Sequence, residues 1–119
     1  MWFGYMDRNE RNLDIIEHVL KYCNGINAAR NRFGNSFDAF SADWDYQNSV
    51  SLCLLQIGEL AKHLSEDFKL THGKIRWRGI IGLRNVLAHD YERMDIDEIW
   101  DVVEKDVPLL RDYCAEILQ

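Results

Sequence analysis

A single proline, Pro108, stands in a chain of 119 residues, so little interrupts the backbone hydrogen bonding of long helices. β-Branched alternation is missing, whereas apolar residues recur at three- and four-residue spacing over most of the length. The expectation is an all-α fold, an up-and-down bundle of four main helices with short helical turns between them. Apolar residues make up 47% of the chain, enough to bury a core, and the length suits one domain spanning 1–119.

Asp7 followed by Glu10 has the form of a capping box and opens the first helix. Leu13, Ile16, Leu20 and Cys23 give it a broad apolar face. Asn31, Gly34 and Asn35 suggest fraying near Arg32, with Ser36 capping a short turn beyond. A second long helix is expected from about Asp43, where Val50, Leu54, Ile57, Ala61 and Leu64 keep helical spacing. Gly58 lies inside it, at a cost of about 1 kcal/mol against alanine, and close contact with another helix would explain its presence. Ser65 then caps a short stretch ending near Gly73.

The third helix is read from about Trp77 to Ala88, and Asp95 with Glu98 opens the fourth. There Ile96, Trp100, Val103, Val107, Leu110, Cys114 and Ile117 form a seam, either within the bundle or across a dimer. Pro108 is expected to kink that helix. The six residues Met1–Met6 are apolar but lack a basic leader and a cleavage site, and read as a short arm or as an upstream start with Met6 the natural beginning.

No apolar run approaches the ~18 residues needed to span a bilayer, so the expectation is a soluble, cytoplasmic protein. Cys23, Cys53 and Cys114 are odd in number and lack CxxC pairing, which suits free thiols in a reducing compartment and no metal site. The net charge of −6 argues against an indiscriminate polyanion binder. Between His72 and Arg93, however, five basic residues face two acidic ones, a local balance of +3. A basic segment on an acidic body suits a focused phosphate site.

That segment holds the residues able to do chemistry, Arg84, Asn85, His89 and Tyr91. An imidazole can move protons near neutral pH, and a guanidinium can hold phosphate oxygens bidentately, so the pair suits RNA cleavage without a metal or other cofactor. In a continuous helix Arg84 and His89 lie about 140° apart, so a shared substrate requires the helix to end near Ala88. One histidine is meagre for two proton transfers, and a symmetric homodimer would supply a second. The plainer reading pairs Arg84 with an acidic neighbour and makes His89 a helix cap. Glu59 could face the cleft or salt-bridge Arg84. His18, His63 and His72 read as surface or packing residues, and Trp77 and Trp100 as core aromatics. Trp44 and Tyr46 could line a partner surface.

The blocks Ile57–Lys62, Ile75–Asn85, His89–Tyr91 and Met94–Trp100 together resemble the HepT-like branch of the HEPN ribonucleases. The likeness runs from about Asp7 to Leu118 and includes the pattern Arg, four residues, His, one residue, Tyr at Arg84, His89 and Tyr91. The resemblance implies an endoribonuclease toxin of a toxin–antitoxin pair, cutting RNA, with tRNA as a candidate target, from a composite site in a homodimer. It implies Arg84 and His89 as catalytic residues and Asn85 as a supporting one. It further implies a nucleotidyltransferase antitoxin that silences the toxin by AMPylation of Tyr91. A different reading of the same bundle is a non-catalytic module that binds nucleotide or docks a nucleotidyltransferase. One departure is the His72–Arg76 stretch, where such proteins often carry proline.

Overall fold

The computed structural model describes residues 7–119, and the arm expected at Met1–Met6 lies outside the described residues. Helix α1 (Arg8–Phe33) starts at Asp7, whose carboxylate accepts the Glu10 amide at 2.8 Å. It ends where Gly34 takes φ +117°, a conformation that L side chains rarely adopt, and its N–H reaches the Arg30 carbonyl. Ser36 caps the short helix α2 (Phe37–Ala42), and Asp43 caps α3 (Trp44–Ala61) by accepting the Tyr46 amide. Ser65 caps α4 (Glu66–Thr71). Asn12 from α1 joins that corner: its Nδ2 donates to Ser65 Oγ, and its Oδ1 accepts from the Ser65 amide, both at 3.0 Å. Asn12 is thereby buried without an unpaired polar group.

Helix α5 (Trp77–Asp90) is followed by a 3₁₀ turn (Tyr91–Arg93), α6 (Ile96–Asp101), a π turn (Val102–Asp106) and α7 (Val107–Ile117). Among the described residues the chain has no strand, and α1, α3, α5 and the α6–α7 rod are the four main helices anticipated. Helix α3 lies between α1 and α5, while α7 packs on the other flank of α1. Ile15, Ile16, Val19, Val50, Ile57 and Val103 fill the centre, each at most 1% exposed. Trp77 and Trp100 are buried as expected.

The fourth-helix seam packs within the same chain, α7 on α1 and Trp100 on Phe40 and Tyr46, with Trp100, Val103, Val107, Leu110 and Cys114 all buried, so it offers no argument for a dimer. Pro108 acts through a widened turn, in which the Val107 amide bonds back to the Val102 carbonyl. In that register the next amide would serve Val103, but Pro108 has none. Arg30 Nη1 takes the Val103 carbonyl instead, at 3.3 Å, while its guanidinium lies 5.4 Å from the Trp100 ring centre. Tyr46, read as a surface residue, is fully buried against Phe33, Phe40 and Trp100, whereas Trp44 is 72% exposed. The sequence alternates core and surface there, because a helix turns about 200° in two residues.

Candidate active site

The crossing of α3 and α5 is set by Gly58. A Cβ at that position would lie 2.2 Å from the Cβ of Arg84 and 2.9 Å from the Ile80 carbonyl oxygen. Only a glycine lets the α5 backbone approach this closely, and the contact anticipated for Gly58 is therefore with the helix that carries Arg84.

Arg84 is held from two sides. Its Nε lies 2.9 Å from Glu59 Oε2 on α3, and its Nη1 donates to Asn85 Oδ1 at 3.1 Å. The same Glu59 carboxylate meets Lys62 at 3.8 Å and His63 at 3.7 Å, so one negative charge gathers three basic groups. The Arg84 side chain is 22% exposed, which leaves part of the guanidinium open to an anion. The plainer reading of Arg84, an ion pair with an acidic neighbour, is thus part of the site's geometry. It also restrains the guanidinium on its α3 side.

Helix α5 continues to Asp90, two residues beyond its expected end at Ala88. His89 therefore stands in the last helical turn, and it and Arg84 leave the helix axis about 140° apart. Arg78, Gly82, Asn85 and His89 follow a four–three–four spacing and are all exposed, so they share one outer stripe. Asn85 links the two directions. It sits one turn from His89 on the stripe, and its side chain draws the Arg84 guanidinium round from the α3 side. A Cβ on Gly82 would meet nothing within 4 Å, so the stripe is open at its middle.

Tyr91 opens the 3₁₀ turn, packs against the core, and donates its hydroxyl proton to Asn48 Oδ1 on α3. Asn48 escaped the sequence reading. Its one signal was a polar residue between buried Tyr46 and Val50, at a half-buried register of α3. Of the other histidines, His18 bonds the Asp14 carbonyl in its own helix, and His72 meets the Tyr113 hydroxyl at 2.8 Å beside the Phe68 ring. A groove of about 490 Å³ between α5 and α7, lined by Ile80, Leu83, Leu110 and Tyr113, includes none of Arg84, His89 or Tyr91.

The model of the ribonuclease HepT-like family matches residues 13–117, which include Arg84, Asn85, His89 and Tyr91. The chain belongs to this family of ribonucleases. A protein of Caldanaerobacter subterraneus named "Putative RNase TTE0752" is 33% identical over 104 residues, covering 87% of this chain and 91% of the relative. A Thermococcus cleftensis protein named "Probable ribonuclease HepT" is 36% identical over 75 residues, covering 63% of this chain and 68% of its own. No solved structure matches the chain at comparable significance. The helical bundle is that expected of a HepT-like HEPN ribonuclease, and among the described residues no helix is long and apolar enough to cross a membrane.

Proposed function

We propose that this HepT-like ribonuclease is an endoribonuclease that cuts RNA without a metal ion, with Arg84 and His89 as its catalytic residues. The observation that carries the reading is the Arg84 guanidinium, oriented by Glu59 and Asn85 and partly open, on the helix whose outer stripe ends at His89. Among the described residues no group of three His, Cys, Asp or Glu side chains could hold a metal ion. The Arg84 guanidinium is the cation placed to neutralise the reacting phosphate.

In this scheme the 2′-hydroxyl loses its proton to an imidazole and attacks phosphorus, and the guanidinium stabilises the charge that builds on the phosphorane oxygens. The leaving 5′-oxygen takes a proton from an imidazolium. The 140° between Arg84 and His89, together with the single histidine of the stripe, supports a homodimer in which two chains supply acid and base. The open stripe at Gly82 gives a second copy room to approach.

The biological setting follows from the family resemblance. The chain is read as the toxin of a cytoplasmic toxin–antitoxin pair acting on RNA, with tRNA the first class of substrate to test. Its partner is a nucleotidyltransferase antitoxin in a hetero-oligomer, and Tyr91 is the AMP acceptor. An adenylyl group there would place a bulky anion two residues from His89 and exclude substrate phosphate. The pairing of Arg84 with Glu59 would equally suit a non-catalytic docking module. Incubation of the purified chain with RNA in EDTA separates the two. Cleavage abolished by Arg84→Ala and by His89→Ala establishes the enzyme, and a wild-type chain as inert as both variants refutes it.

A further inference from the structure

We infer that Asn48 is a positioning residue, which holds His89 in place by accepting the hydroxyl proton of Tyr91. The inference rests on the proposed role of His89 and adds a residue and a mechanism to it.

Helices α3 and α5 run antiparallel in extensive contact, and two interactions along that side of α3 bear on the site. The first is the Gly58–Arg84 crossing, where backbone and side chain interlock. The second is the Asn48–Tyr91 hydrogen bond, ten residues back along α3 from Gly58 and seven residues beyond Arg84, in the 3₁₀ turn that follows α5. Between them the helical backbone breaks: Asp90 adopts φ −149° and ψ 38°, and Tyr91 begins a separate turn of three residues. Helix ends fray unless something ties them down. Among the described residues, no other side-chain hydrogen bond or ion pair joins 89–93 to a different helix. The pair of Arg93 with Asp90 is local, spans 3.7 Å and is exposed. His89 is itself exposed, so its direction depends on the last turn of α5 staying wound.

The two tie points divide the work. Gly58 and Glu59 fix Arg84 independently of the far end, so phosphate binding survives the loss of Asn48. Proton transfer does not, because reacting groups displaced by about 1 Å lose roughly a hundredfold in rate. Tyr91 then has a second means of control. If AMP is transferred from ATP to Tyr91 Oη, with release of pyrophosphate and the phenolic proton, the donor that Asn48 uses is gone. Modification would loosen the His89 segment as well as block it.

The test combines hydrogen exchange of residues 86–93 with steady-state RNA cleavage on the full chain. Asn48→Ala and Tyr91→Phe should each speed exchange of that segment about tenfold, with the double variant no faster than either. Both should lower kcat about tenfold or more while KM stays within about twofold. Asn48→Asp, which keeps an acceptor for the phenol, should restore both quantities. Wild-type exchange in Asn48→Ala, additive effects in the double variant, or no rescue by Asn48→Asp overturns the inference. Failure of the proposed function looks different: a wild-type chain that cuts no RNA refutes the chemistry, while exchange still decides whether Asn48 holds the segment.

Discussion

The Cβ of Arg84 occupies the space that a side chain on Gly58 would need, 2.2 Å from where its Cβ would begin. The residue proposed to hold phosphate and the glycine that lets two helices touch are thus one structural unit. Gly58→Ala should destabilise the fold despite the better helix propensity of alanine. The obstacle is a backbone-proximal carbon and a carbonyl oxygen rather than a flexible tip, and overpacking of this kind costs about 1–3 kcal/mol. Thermal unfolding should show the loss, and an unchanged or higher midpoint would refute it.

Glu59 should matter to catalysis more than to stability. Its side chain is 37% exposed, so the pair with Arg84 contributes at most about 0.2–1 kcal/mol. Glu59→Ala frees the guanidinium, and cleavage should fall at least about tenfold with the unfolding midpoint nearly unchanged. A variant that cuts RNA as well as wild type would show that Arg84 needs no anchor.

Tyr91 offers a direct test of the regulatory reading. Incubation with the proposed nucleotidyltransferase antitoxin and ATP should add the mass of one AMP per chain to wild type and none to Tyr91→Phe. Equal mass gain in both would place the acceptor elsewhere.

Arg30 should stabilise the fold through the carbonyl that Pro108 leaves without an amide. Arg30→Ala exposes the Val103 carbonyl to burial without a partner, at about 1–3 kcal/mol. Pro108→Ala restores an amide, so the cost of Arg30→Ala should shrink in that background. Strict additivity in the double variant would refute the link.

The thiols give a pH dependence with a definite sign. Burial pushes Cys114 from its usual 9.0 up to about 12, and pushes Cys23 up as well, helped by its neighbours Cys114 and Cys53. The folded chain therefore keeps protons that the unfolded chain releases above pH 9. Stability should be flat below that point and then fall towards pH 12, by about 1.4 kcal/mol per pH unit for each thiol. Denaturant midpoints measured across this range would show it, and a rise or no change above pH 9 would refute it. At neutral pH half-buried Cys53 should react with alkylating agents before Cys23 and Cys114.

Much of this architecture is local, and local features can be read from a sequence. Asp7, Ser36, Asp43 and Ser65 cap helices as their positions suggest, because each bond reaches only three residues ahead. Gly58 announced a close approach because glycine in a helix needs a reason. Arg84, Asn85, His89 and Tyr91 were legible as a group because they lie within eight residues. What covers an apolar face was not legible. The same seam from Ile96 to Ile117 suits a partner chain or the chain's own helices, and only packing chose α1 for α7 and α2 for α6.

Local signals along the chain set the helices, most of their ends, and the groups that could act on a phosphate. Tertiary structure decided how those groups are held: Glu59 and Asn85 on either side of Arg84, and Asn48 under Tyr91. The reason is range. Capping and periodicity act within a turn, whereas Asn48 and Tyr91 are 43 residues apart and meet only because Gly58 lets α5 lie against α3.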